Sequence, residues 1–152
     1  MKSKEKYLTL AILRDNHACQ ERYDYLVEKL GTDFGDDEPL SLSRILEING
    51  IADCFWAFNC FSAIYEDELR LIATKTAVWS ARQALKYFTE KYPDDDRPRK
   101  AIEAAEAYIE NASARAAYAA AARAARAARA GCNIKSNIID KLKRLLIEWE
   151  NE

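Results

Sequence analysis

The sequence contains little of what catalytic and metal sites usually require. It has a single histidine, His17, which we expect on the surface, and its cysteines form no close pair: Cys19, Cys54, Cys60 and Cys132. The usual zinc spacings cannot be assembled from this set, so we expect no metal site or disulfide and interpret the cysteines as reduced. A nucleophile elbow and a glycine-rich phosphate loop are also missing. These absences predict a protein that is not an enzyme and needs no cofactor.

Glycine and proline are scarce, with four and three residues among 152. Almost every apolar run between them recurs at helical rather than alternating spacing, so no strand is predicted. The sequence predicts an all-α fold, a single-domain helical bundle over residues 1–152 with about eight helices. The predicted helices span 5–14, 18–30, 42–48, 51–64, 67–91, 98–110, 113–130 and 137–150.

Three of these helices carry packing signals. Helix 51–64 is apolar on most faces, so we expect it to be the central buried helix. Helix 67–91 is amphipathic, and we interpret its aromatic residues as core packing. Helix 137–150 has one continuous apolar stripe, which predicts a docked helix: Ile138, Ile139, Leu142, Leu145, Leu146 and Trp149.

The sequence has neither a large excess of one sign of charge nor a long apolar run. The 23 basic and 25 acidic residues nearly cancel, which excludes a generally basic nucleic-acid binder but allows charged patches. No segment approaches 18 uncharged apolar residues, and no signal-peptide pattern follows the first residues. We therefore expect a cytoplasmic protein without a membrane anchor.

The acidic residues concentrate in two segments. Residues 32–40 read TDFGDDEPL, and Gly35 and Pro39 make this segment a predicted loop. Its acids could meet a basic partner, although acidic loops are usually only solvated surface. The candidate partner-binding residues are Asp36, Asp37 and Glu38 here, and Asp94 and Asp95 in the second segment.

The second acidic segment belongs to a charged motif, DDDRPRKAIEAA, at residues 94–105. Pro98 suits the first helical position, which predicts Arg97 at the cap. Arginine is a poor cap, so the aspartates should interact with the positive helix end. Arg97 and Arg99 favour a scaffolding role, in which paired hydrogen bonds lock a loop onto the fold, over ligand binding. Both roles stay open at this point.

A third charged segment is rich in alanine and arginine. Thirteen of the nineteen residues at 112–130 are alanine. At about 100° per residue the arginines share one arc of about 120°, with Tyr118 at its edge. This arginine ridge could grip phosphate, or it could be the solvated face of a helix, which we favour. Its residues are Arg115, Tyr118, Arg123, Arg126 and Arg129.

Several stretches together resemble a known family: IADCFWAFNC, WSARQALKYFTEKYP and DDDRPRKAIEAAEAYIE, followed by the alanine-rich helix. They are similar to the fifth numbered family of predicted polymorphic-toxin immunity proteins, whose relatives are common in phage genomes. The resemblance covers about residues 40–130. Asn111 stands where many relatives have glycine. The family's signature positions fall on Trp56, Asp96, Arg97, Pro98, Arg99, Glu103 and Ala104.

The resemblance implies a non-enzymatic inhibitor that occludes a toxin or a host-defence effector by protein–protein contact, in a bacterium or a phage-infected cell. The acidic segments would steer it onto a basic target such as a nuclease. The alternative is binding or sequestration of a nucleotide or nucleic acid through the arginine ridge. The sequence predicts no membrane partner and does not define the oligomeric state.

Overall fold

The computed structural model describes residues 1–111 and 135–152. In these ranges the fold is built from helices, and isolated bridges replace strands at Ser3–Phe61 and Leu8–Leu40. The prediction of an all-α fold is confirmed, and the seven helices of these ranges come close to the eight predicted. The predicted helix 113–130 lies outside the described residues. The helices are α1 (Leu10–Asp15), α2 (Gln20–Leu30), α3 (Leu42–Asn49), α4 (Ile51–Ala57), α5 (Glu66–Lys91), α6 (Arg97–Asn111) and α7 (Lys135–Glu150).

The chain divides into two compact units. Unit 1 consists of Met1–Leu69 and Lys143–Glu152, and unit 2 of Arg70–Leu142. Helices α5 and α7 therefore contribute residues to both. The single domain over residues 1–152 stays a prediction. None of the helices in the described ranges has the length and hydropathy that a membrane crossing requires.

Hydroxyl caps fix the starts of two helices in unit 1. The Thr9 side chain accepts a hydrogen bond from the Ile12 amide at 3.2 Å, and the Ser41 side chain accepts one from Arg44 at 3.1 Å. Gly50 separates α3 from α4 with φ at 87°, a left-handed conformation that glycine adopts without strain. Large fully buried side chains below these helices form the core of unit 1: Leu8, Leu40, Leu42, Leu46, Cys54 and Leu146.

The predicted helix 5–14 is wrong in its first half. Leu8 exchanges two backbone hydrogen bonds with Leu40, at 2.9 and 2.8 Å, so the chain is extended there. Thr9 then caps α1, which begins at Leu10. The pairing partner lies 32 residues away along the chain, beyond the reach of a local helical pattern.

The predicted helix 51–64 is also wrong in its second half. Helix α4 ends at Ala57, and short 3-10 turns follow at Phe58–Cys60 and Ala63–Tyr65. The amide of Ser3 donates to Cys60 and its carbonyl accepts from Ser62, both at 2.8 Å, so the N-terminal segment replaces the helical bonds here. The predicted burial of this helix is met only in part, because Cys54 and Ala57 are buried but Trp56 is 36% exposed. Its central position stays a prediction.

In unit 2, α5 and α6 pack through a small apolar cluster: Val78, Ala81, Ile102 and Ala105. Arg82 also donates from both ends of its guanidinium fork to the Glu106 carboxylate, at 2.8 and 2.6 Å. This bidentate pair lowers the pKa of Glu106 and links the two helices above their apolar contact.

The apolar stripe of α7 confirms the prediction of a docked helix. Within unit 1, the Trp149 ring lies edge-on to Phe61 and Tyr65 with both centroids 5.5 Å away, and its indole N–H donates to Glu68. Five of the six stripe residues are buried: Ile138, Leu142, Leu145, Leu146 and Trp149.

Candidate functional site

The charged motif at residues 94–105 forms the start of α6. Helix α6 begins at Arg97, and the carbonyl of Asp96 accepts the Lys100 amide at 3.0 Å, so the cap position belongs to Asp96. The prediction of Arg97 at the cap is therefore wrong by one residue. Aspartate is a favoured cap, and the restriction that Pro98 places on its predecessor is a preference rather than a prohibition.

Asp95 and Arg97 form the tightest pair of this motif. The Asp95 Oδ1 accepts from the backbone N–H of Arg97 at 3.1 Å and from its Nε at 2.8 Å, while Oδ2 accepts from Nη2 at 2.6 Å. These bonds from Arg97 lower the pKa of Asp95 to about 2. The Arg97 side chain is 86% exposed, so solvent screens the pair and its contribution to stability is small.

The other charges of the motif also pair locally. Asp96 lies 2.7 Å from the Lys100 ammonium and 3.8 Å from Arg99, and the Lys100 bond is the main cause of its lowered pKa. Arg99 also reaches Glu103 at 3.4 Å, one helical turn further on. Within residues 1–111 and 135–152, the ion pairs of Arg97 and Arg99 stay between residues 95 and 103, at an exposed helix start. Scaffolding and partner binding both stay predictions for these residues.

Two exposed tyrosines precede this motif, Tyr87 in the last turns of α5 and Tyr92 directly after its end. Tyr87 is 50% and Tyr92 is 48% exposed, and Lys86 and Lys91 lie over their rings at 4.7 and 5.4 Å. Sequence reasoning missed both residues, because it treated the aromatics of this helix as core. We name the segment between residues 87 and 97, with its exposed or charged residues Tyr87, Tyr92, Asp94, Asp95 and Arg97, the α5–α6 corner.

The acidic loop of unit 1 is exposed from residue 35 to 39, as its composition predicts. Asp36 is tied to α1, because its carboxylate accepts from Arg14 at 2.8 Å and its carbonyl accepts from the Ala11 amide at 3.0 Å. Glu38 accepts from the Gly35 amide at 3.1 Å, so it closes the loop on itself. Asp37 is exposed between them. Partner binding by these three residues stays a prediction.

A pocket of about 150 Å³ opens in unit 1 among α1, α2, α3 and α4. Sequence reasoning missed it, because its wall is drawn from four elements and no single periodicity reports it. Trp56 lines the pocket and is 36% exposed, whereas the sequence predicts a buried aromatic residue at this position. The lining residues are Leu13, Ala18, Cys19, Arg22, Tyr23, Leu26, Ile45, Asn49, Asp53, Trp56 and Ala57.

A polar network fixes one wall of this pocket. Arg22 donates from Nε to Asp53 at 2.7 Å and from Nη2 to the Asn49 carbonyl at 2.6 Å. The Asn49 side-chain amide donates in return to the Arg22 carbonyl at 3.0 Å and to Asp53 at 2.8 Å. The bonds with Asp53 raise the pKa of Arg22. One set of reciprocal hydrogen bonds therefore connects the three helices α2, α3 and α4.

The arginine ridge, Arg115, Tyr118, Arg123, Arg126 and Arg129, lies outside the described residues, so phosphate binding there stays a prediction. Over residues 1–111 and 135–152, no group of three or more His, Cys, Asp or Glu side chains could hold a metal ion. Among the cysteines of these ranges, Cys54 and Cys60 are buried and Cys19 is exposed, all as free thiols.

A family model described as "Imm-5 like putative immunity protein" matches residues 64–138, which is 75 of the 152 residues. The similarity covers the α5–α6 corner and leaves Trp56, the acidic loop and the pocket outside it. It supports the immunity-type resemblance over the motifs WSARQALKYFTEKYP and DDDRPRKAIEAAEAYIE. No curated protein and no solved structure matches the chain significantly.

Proposed function

We propose that the chain is a non-enzymatic immunity protein that occludes a toxin or a defence effector by direct protein–protein contact. It acts in the cytoplasm of a bacterium or of a phage-infected cell. The observation that carries this proposal is the match to an immunity-protein family over the residues that build the α5–α6 corner.

The α5–α6 corner has the side chains of an energetic contact centre. Tyrosine and arginine are enriched among the few interface residues that carry most of the binding energy. Tyr87 and Tyr92 expose about half of their surface, so they offer apolar area at a low cost in conformational entropy. Asp95 orients the guanidinium of Arg97 before any partner arrives, which reduces the ordering cost of binding.

The test is protection of cells against a toxin encoded beside this chain's gene, or against a defence effector of the host where no toxin gene lies there, produced together with this chain. We expect growth to be restored, and the two proteins to co-purify. Tyr87→Ala combined with Tyr92→Ala should weaken the complex by about tenfold or more, since each removes a large apolar contact. The matched control is Tyr7→Ala, which removes a tyrosine of similar exposure, 38%, from unit 1 outside the pocket.

Two results would overturn the proposal. One is the absence of both protection and a complex with that gene product. The other is full protection when there are far fewer copies of the chain than of the toxin. An occluding inhibitor needs about one copy for each toxin molecule, so protection at a much lower ratio would indicate catalysis.

A further inference from the structure

The pocket of unit 1 has the size and lining of a receptor for one apolar side chain. An apolar cavity of about 150 Å³ can hold a benzene-sized group, and this pocket has that volume. Leu26 and Ala57 line it as buried residues, and Trp56 adds a half-open aromatic edge. A phenylalanine-sized group would therefore remove apolar surface from water on both sides of the contact.

The pocket is formed before any partner binds. The reciprocal hydrogen bonds of Arg22, Asn49 and Asp53 connect three of its helices, with donor–acceptor distances of 2.6 to 3.0 Å. A preformed pocket costs little ordering entropy when it is filled, so even a single anchoring side chain contributes measurable affinity.

Two hydrogen bonds of Arg14 connect the acidic loop with this pocket. Arg14 donates to the hydroxyl of Tyr23, a pocket residue, at 3.4 Å and to Asp36 at 2.8 Å. Unit 1 as a whole has 17 acidic and 9 basic residues, a net charge of −8. An occupant that carries positive charge is therefore favoured by both the local loop and the field of the unit.

We propose that this pocket receives a phenylalanine-sized apolar side chain from a basic segment of the partner protein. Asp36, Asp37 and Glu38 attract the positive charges that flank this anchor. The inference rests on the proposed function for the existence of a protein partner, and it adds the anchor, the charge of the segment and a second contact surface beyond the family match.

The direct test uses a defined peptide and the full chain. We expect acetyl-Lys-Arg-Phe-Arg-Lys-amide to shift the Trp56 indole N–H signal in a ¹⁵N–¹H NMR titration. A peptide with alanine in place of the phenylalanine should bind about tenfold or more weakly, because the apolar anchor is lost. A peptide with glutamates in place of the four basic residues should bind weakly as well, because its charges repel those of the loop.

Variants of the chain locate the site. Ala18→Phe places a large side chain in the pocket, and Trp56→Ala removes the aromatic ring at its edge. Each should lower the affinity for the basic peptide by about tenfold. Ile64→Ala is the matched control, since Ile64 is an apolar side chain, 67% exposed, outside the pocket. Thermal melting identifies any variant that fails to fold, and the exposed position of Trp56 keeps its variant informative if Ala18→Phe fails.

The inference is overturned if the basic and alanine peptides bind equally, or if the pocket variants bind like the wild type. Its failure is distinct from that of the proposed function. Protection by the Ala18→Phe variant at wild-type level would contradict the pocket anchor and leave the immunity function standing. Peptide binding without protection by the wild-type chain would contradict the immunity function instead.

Discussion

Asp95 and Arg97 show how adjacent charges at a helix start can order one another without reaching the core. Their three hydrogen bonds fall within two residues of sequence, and the motif is visible as a run of aspartates followed directly by arginines. The exposed tyrosines beside them give no such signal, because an aromatic residue near the end of an amphipathic helix can face either side. Sequence reasoning therefore found the motif and missed the surface around it.

The Asp95–Arg97 pair predicts a measurable titration. Arg97 lowers the pKa of Asp95 from an ordinary value of 3.8 to about 2. Because the pKa in the folded state is the lower one, the pair stabilises the fold above about pH 4, and this contribution is lost as the pH falls towards 2. In Arg97→Ala, NMR titration of the Asp95 carboxyl should give a pKa close to the ordinary value.

The control for this titration is Arg99→Ala, whose recorded partners are Asp96 and Glu103. It should leave the pKa of Asp95 near 2. An unchanged pKa in Arg97→Ala would show that the pair does not form in solution.

Elements with their own periodicity and caps could be predicted, and those shaped by distant pairing could not. Helix α7 follows directly from its apolar stripe, and the predicted helix 42–48 agrees with α3 to within one residue. The break after Ala57 depends on Ser3, which binds Cys60 and Ser62 from the other end of unit 1. The Arg22–Asp53 pair of the pocket likewise joins residues 31 positions apart.

The docking of α7 predicts a large loss of stability in Leu142→Ala. Leu142 has no exposed surface, and truncating a buried leucine to alanine costs about 2 to 5 kcal/mol of unfolding free energy. Urea denaturation measures this loss. Ile147→Ala on the same helix is the control, since Ile147 is 40% exposed and its truncation should cost about 0.5 kcal/mol or less. Equal losses in the two variants would contradict a docked α7.

Charge is distributed unevenly over the molecule although the total is only −2. Unit 1 has a net charge of −8, and unit 2, counted over all its residues, has 14 basic and 8 acidic residues, a net charge of +6. The composition of the whole chain conceals this segregation, which becomes visible only when the structure assigns residues to units. The two acidic surfaces predicted from the sequence accordingly lie in units of opposite charge.

The charge of unit 1 predicts a kinetic effect. Combining Asp36→Asn, Asp37→Asn and Glu38→Gln should slow association with a basic partner while changing dissociation little, because rim charges mainly steer the encounter. Stopped-flow association with the product of the adjacent gene measures this rate. High salt should shrink the difference from the wild type by screening the exposed charges. A change confined to the dissociation rate would contradict steering by the loop.

The central claim is that this chain acts by occupying a protein partner, and isothermal titration calorimetry with the purified product of the adjacent gene tests it most directly. We expect a complex of one chain with one partner molecule, and partner activity that falls in proportion to the amount of chain added. A contrary result would be no heat with that protein, together with a micromolar gel shift of DNA or RNA that is lost when Arg115, Arg123 and Arg126 are changed to alanine. The arginine ridge would then be the site, and binding of nucleic acid the function.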